Sequence, residues 1–109
     1  IGQKEGGEIF QSSCNLPKKG YWLAPTIFTG VSQSHRVVQE EIIGPVLAIQ
    51  SFRTVDEVIA KANNTPFGLS GGVWTDKGSK IFALSNAIRA GVIWANTINK
   101  FDPSISCLL

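Results

Sequence analysis

From Val46 onward the alternation of apolar and polar positions marks out a run of secondary-structure elements. Val46-Leu47-Ala48-Ile49 is an unbroken apolar stretch closed by Phe52, which predicts a strand covered on both faces. Thr54 and Glu57 then stand at the spacing of a capping box. In that motif the threonine hydroxyl accepts from the amide three residues on, and the glutamate reaches back to the cap amide. Behind them Val55, Val58, Ile59 and Ala62 share one helical face, and Asn63-Asn64 ahead of Pro66 ends the helix. A second strand is expected over 71–75. It leads to a helix capped by Asp76, with Ile81, Leu84 and Ile88 as its buried stripe and Gly91 as its left-handed C-terminal cap. Residues 92–96 read as a third strand. The order β-α-β-α-β implies parallel pairing, hence an α/β fold in which helices cover a parallel sheet.

The first half is less periodic. Residues 1–20 hold Pro17, Lys18-Lys19 and several glycines, and read as loop with a short strand near 8–10. Residues 21–28 are mostly apolar but carry Pro25, which suits an edge strand or an extended loop. Residues 35–41 form a short helical turn that Gly44-Pro45 stops, because a proline pushes the residue before it out of the helical region.

Composition narrows the function classes. With 43% hydrophobic residues and three tryptophans in 109 positions, the chain carries too much apolar material to stay unfolded. Ten basic residues against eight acidic ones, scattered along the chain, leave no stripe for a nucleic acid. No apolar run is long enough to span a bilayer, and the opening IGQKEGGE lacks a signal-peptide core, so no membrane partner is expected. Two widely separated cysteines fit a reducing, cytoplasmic setting better than a disulfide framework. Ile1 in place of Met and the apolar close ISCLL read as cuts through a longer protein.

Most residues with chemical potential have a plainer account. Cys14 lies in a loop near Lys18 and Lys19 with no base beside it, and reads as an incidental thiol. Cys107 is third from the end, whereas prenylation needs cysteine fourth from the end, so it too reads as a buried or accidental thiol. His35 cannot form a metal site with two distant cysteines and reads as a solvated or helix-turn histidine. The glycine-rich stretch at 68–72 lacks the Lys-Ser/Thr ending of a phosphate loop and runs into a strand. Asn63-Asn64-Thr65 matches a glycosylation acceptor, but Pro66 follows and a helix C-terminus explains it better.

The informative cluster is Glu40-Glu41-Ile42-Ile43-Gly44-Pro45-Val46. One account is an exposed helix end followed by a turn. The other is a rigid turn beside a parallel sheet that holds a carboxylate against a sugar diol. Both carboxylate oxygens accept there, and each charge-assisted bond is worth about 1.5–3 kcal/mol. That account asks the carboxylate to face the carboxyl ends of the central strands.

Here the sequence resembles the aldehyde dehydrogenase superfamily. The resemblance rests on PTIF at 25–28, EEIIGPV at 40–46, FRTVDEVIAKANNTPFGL at 52–69, VWTD at 73–76 and AGVIWAN at 90–96, in the family's order and spacing. It spans about residues 20–103, with 1–20 a loop-rich opening segment and 104–109 a divergent, truncated tail. The GEIFQ opening and the FRT segment resemble the branch with a large, partly duplicated chain.

The resemblance implies that this is the C-terminal part of an NAD(P)-dependent catalytic domain. Glu41 takes the position that binds the nicotinamide-side ribose of NAD or NADP. Ile43 takes that of a phenylalanine packed against the same part of the cofactor, and keeps the apolar contact while losing the aromatic face. Asn96 ends the family's W-x-N strand and is expected to tie down backbone. The family's nucleophilic cysteine, general-base glutamate and oxyanion asparagine lie upstream of Ile1, and Cys14 does not align with the nucleophile. No catalytic residue is therefore expected here, and the chain alone is expected to be inactive.

In the intact family a thiolate attacks the aldehyde, hydride passes to the nicotinamide, and water hydrolyses the thioester to a carboxylic acid. Intact members are homo-oligomers acting on small aldehydes. The alternative is a non-catalytic scaffold or interaction module that kept the fold and lost the chemistry. A free-standing nucleotide binder is disfavoured, because no glycine-rich strand-to-helix turn is present for a pyrophosphate. If about 400 Å² of apolar sheet face is left uncovered, the area rule gives roughly 10 kcal/mol, as much as a domain's net stability. The isolated chain is then expected to fold poorly or aggregate.

Overall fold

The computed structural model describes residues 1–102 and Ser104, so Cys107 and most of the 104–109 tail lie outside the described residues. Two compact units divide the chain, Ile1–Phe52 and Arg53–Leu109.

In the first unit β1 (Glu8–Gln11), β2 (Thr26–Thr29) and β3 (Val46–Ala48) form one sheet in that order, with the single helical turn α1 (Arg36–Gln39) between β2 and β3. β1 runs antiparallel to β2, pairing Ile9 with Phe28, and β2 runs parallel to β3, pairing Ile27 with Leu47. Thus the 21–28 segment is not an edge strand. Residues 21–25 have no regular structure, and β2 is the central strand. The reason is that Pro25 falls one residue ahead of the ladder, where its missing N–H costs no strand pairing. Thr26 is buried at the sheet's centre. Its Oγ1 accepts from Gln11 Nε2 at 2.7 Å and donates to the Ala24 carbonyl at 3.0 Å. Gly2 lets the opening segment lie against the Phe28 ring, since a Cβ there would sit 2.8 Å from Phe28 Cε1.

β3 begins where the apolar run predicts, but it is not covered on both faces. Cross-strand register lines up Phe10, Ile27 and Leu47, and Phe10 and Leu47 remain 65% and 57% exposed.

The second unit holds α2 (Val55–Asn63), β4 (Ser70–Val73), α3 (Gly78–Ala87) and β5 (Val92–Ala95), with β4 parallel to β5. The expected single sheet of three parallel strands is therefore shared between two hydrogen-bonded sheets among the described residues: β3 pairs with β2, and β4 with β5. Val73, paired with Ala95, and Trp94, paired with Gly72, are its buried apolar residues among those described.

The α2 cap forms as the sequence requires. The Glu57 amide donates to Thr54 Oγ1 at 3.1 Å, although the Glu57 carboxylate accepts from the Arg53 amide, one residue further back than the usual box. Lys61 Nζ lies 2.8 Å from Glu57 Oε1, one turn along. Lys61 first, and then the Arg53 amide, hold the Glu57 carboxyl down at about 2. Asn64 caps the other end, as the Asn-Asn-Thr-Pro segment suggested.

Two expected caps of α3 are replaced. Lys77, not Asp76, is the N-cap, because the Thr75 hydroxyl takes the Lys77 amide at 3.2 Å and delays the helix by one residue. The C-cap is Ile88 in an extended conformation, so the helix has ended three positions before Gly91. Asn63 makes this early stop possible. Its side chain donates to the Ala87 carbonyl and accepts from the Arg89 amide, each at 2.8 Å, and so satisfies the groups a left-handed glycine would have turned inward.

Many large apolar side chains stay exposed, Phe10, Leu69 and Phe82 among them. The 109-residue chain produced alone should aggregate and show no cooperative thermal transition by circular dichroism. A soluble monomer with a sharp melt would contradict this. A depressed carboxyl stabilises its folded form above its ordinary value and loses that contribution as acid protonates it. In a peptide of residues 50–66, helicity should therefore fall as pH drops from 4.5 towards 2, and Glu57→Gln should flatten that decline.

Candidate functional site

The cluster around Glu40 and Glu41 occupies the crossover between β2 and β3. α1 is a single turn and cannot hold itself by propensity, so neighbouring side chains fix it. Glu5 Oε2 accepts from the Arg36 amide at 2.9 Å, and Val37 is buried. At the far end the Arg36 guanidinium grips Glu40 with two bonds, Nε–Oε1 at 2.6 Å and Nη2–Oε2 at 2.8 Å. The hydrogen bonds from Arg36 hold the Glu40 carboxyl below its usual range, and Glu40 in turn raises Arg36.

Glu40 is thus committed to the helix it ends. Glu41, one residue on, has left the helix and carries no hydrogen bond or ion pair among the described residues. It lines a concavity of about 250 Å³ together with Phe28, Val37, Ile42 and Val46, whose walls are mostly apolar. Ile43 is 93% exposed. The Gly44-Pro45 bend is held by the Val46 amide donating to the Gly44 carbonyl at 2.8 Å and by Thr26 N–H donating to the Pro45 carbonyl at 2.9 Å. Gly44 itself is not sterically demanded there, because a Cβ would meet nothing within 4 Å.

The chain position of Glu41 differs from the sequence expectation in one respect. It stands on the segment leading into the amino end of β3, not at the carboxyl ends of the strands, so the strand-end rule for open sheets lends it no support.

Among the other candidates, Asn96 does what the sequence suggested. It adopts φ 53°, its Oδ1 accepts from the Thr75 amide at 2.9 Å, and its Nδ2 donates to the Thr75 carbonyl at 3.0 Å. This reciprocal pair locks the ends of β4 and β5 together. Cys14 is exposed in its loop, and His35 is the N-cap of α1, its Nδ1 accepting from the Ser32 amide at 3.4 Å. No group of three or more His, Cys, Asp or Glu among the described residues is placed to hold a metal ion. The glycines at 68–72 lead into β4, not into a helix N-terminus.

One group of residues went unremarked in the sequence. Gln33 Nε2 donates to Gln50 Oε1, Gln50 Nε2 donates to the Val31 carbonyl at 2.8 Å, and Gln39 Nε2 donates to the Gln33 carbonyl at 2.7 Å. Three glutamines spaced along two loops and a helix end have no periodicity to betray them. The available signal was only that Gln39 and Gln50 each follow an apolar residue, and Gln33, between two serines, offered none.

The aldehyde dehydrogenase family model matches residues 1–107, and the chain belongs to that family. It is 41% identical over 95 residues to the rat protein named aldehyde dehydrogenase, cytosolic 1, covering 87% of this chain and 19% of that one. To an aldehyde dehydrogenase of Enchytraeus buchholzi it is 43% identical over 100 residues, covering 92% and 20%. Among solved structures, the P. syringae AldA indole-3-acetaldehyde dehydrogenase in complex with NAD+ and IAA superposes with a TM-score of 0.86 at 39% identity, over 93% of this chain and 21% of that one. The chain therefore spans about a fifth of the length of the relatives it matches.

In the longer protein that carries this segment, Asn96→Ala should lower stability by about 1–3 kcal/mol through the two lost bonds and the left-handed backbone. Denaturant melts and NAD+ titration check this. The expected outcome is a shifted melt with unaltered cofactor affinity.

Proposed function

We propose that this chain forms a cofactor-facing part of a longer NAD(P)-dependent aldehyde dehydrogenase that oxidises an aldehyde to a carboxylic acid. Within it Glu41 grips the nicotinamide-side ribose. The observation that carries this reading is the division of labour between adjacent carboxylates. Arg36 neutralises Glu40, while Glu41, which lines the same mostly apolar concavity, has no hydrogen-bond or ion-pair partner among the described residues. A free carboxylate presents two acceptors and no donor, which matches two neighbouring hydroxyls that each donate. The pair of acceptors thus fits a ribose diol, and the NAD+ bound in the AldA structure belongs to a protein with the same fold over this region.

The bound nicotinamide would supply the hydride acceptor. What this chain contributes is orientation. Glu41 fixes the sugar, and the uncovered Ile43 offers aliphatic surface beside it. Holding the reacting ring in place is worth much of a hydride-transfer barrier, because a small misplacement of a bound reactant costs rate steeply. The nucleophile and the general base belong to the part of the protein outside this chain. A small aldehyde substrate, homo-oligomeric assembly and a cytosolic setting are part of the same proposal, the last supported by the cytosolic rat relative.

The test is a pair of substitutions in the longer protein. Glu41→Gln should weaken NAD+ binding about tenfold, the loss expected when a charge-assisted acceptor becomes neutral. Ile43→Phe should leave that affinity equal or tighter, by restoring an aromatic face. Fluorescence titration with NAD+ measures both. Unchanged affinity in Glu41→Gln, or a clear loss in Ile43→Phe, would reject the assignment.

A further inference from the structure

Resting on the ribose-binding reading of Glu41, we infer that Gln33, Gln39 and Gln50 are positioning residues that set where that carboxylate stands. The chain of contacts is continuous within the first unit. Gln50 follows β3, whose pairing with β2 is extended by the Ile49 amide donating to the Phe28 carbonyl at 2.8 Å, so its backbone is anchored to the sheet. From there its side chain makes two bonds to the loop that leads into α1, one to the Val31 carbonyl at 2.8 Å and one from Gln33 Nε2. Gln39, the last residue of α1, donates back to the Gln33 carbonyl at 2.7 Å. Glu41 is two residues further on.

The physical need for such a bracket follows from the size of α1. A four-residue turn makes too few internal bonds to persist, and its N-cap His35 supplies no side-chain cap. The Arg36 side chain ties Glu40 to the turn, and its amide, donating to Glu5 Oε2 at 2.9 Å, ties the start of the turn to the opening segment; neither reaches from the end of the turn to β3. The three amides connect the end of the turn to the segment after β3, and all three side chains are half-buried, where water competes less well for their donors and acceptors. Amides suit the task because each both donates and accepts while remaining uncharged.

A double-mutant cycle in the longer protein tests this, read as the Kd for NAD+ with the thermal midpoint recorded alongside. Gln50→Leu alone should weaken binding about threefold to tenfold. In the Glu41→Gln background it should weaken binding no further, because a residue that acts through Glu41 has nothing left to position. A loss of equal size in both backgrounds, or no loss in either, overturns the positioning claim while leaving the ribose assignment intact. An unaltered Kd in Glu41→Gln overturns the ribose assignment and the positioning claim with it. Should Gln50→Leu fail to fold, the same cycle with Gln39→Leu, which leaves both Gln50 bonds in place, decides by the same criteria.

Discussion

Parallel pairing of β2 with β3 governs the first unit. Two parallel neighbours cannot be joined by a tight hairpin, so the chain must leave the end of β2 and return to the start of β3 before it can pair. Residues 30–45 are that return path, and every group in the candidate site lies on it or touches it. Gly30 opens the path with φ +63°, a conformation that costs glycine little. The Gly44-Pro45 bend closes it, with the Pro45 carbonyl already taken by the first amide of β2. Between these fixed ends a single helical turn reverses the chain, and Glu41 emerges where the turn stops.

That geometry separates two side chains that look equivalent in sequence. Glu40 and Glu41 are adjacent, identical and close to the same turn. In a helix, however, a residue meets its neighbour four positions back, and Arg36 stands four positions before Glu40. The pair is largely exposed and contributes little to stability. Its consequence is chemical: it removes one carboxylate from the inventory and leaves the other available. The distinction depends on spacing alone, because Glu41 stands five positions from Arg36 and falls outside the reach of that pairing.

The second unit shows how local signals compete. The Thr54–Glu57 cap was legible because both partners lie within one turn and depend on nothing remote. Asp76 and Gly91 were equally good local candidates for the ends of α3, yet neither is used. The Thr75 hydroxyl intervenes at one end, and Asn63, brought from the end of α2, takes over at the other. A cap read from sequence competes with every polar group the fold delivers to the same spot. The uncovered faces follow the same logic. The apolar run at Val46 correctly marks a strand, but its period cannot say how much of its cover this chain supplies, and Leu47 remains half exposed.

What the sequence by itself determined were the elements and the chemistry of single positions: the β-α-β-α-β order, the cap of α2, the kinship carried by EEIIGPV and its companions, and Asn96 as a tie for backbone. The order and the cap depend on spacings of a few residues, which covalent geometry converts directly into faces and turns, and the role of Asn96 came with the family resemblance. Only the tertiary structure decided that β3 pairs with β2, that Arg36 occupies Glu40 and not Glu41, and that three glutamines bracket α1 to the sheet. The strand pairing and the glutamine bracket depend on groups about 20 positions apart meeting in space, as Ile27 and Leu47 or Val31 and Gln50 do, and no local periodicity encodes such a meeting; the Arg36–Glu40 pair is local but forms only because α1 does.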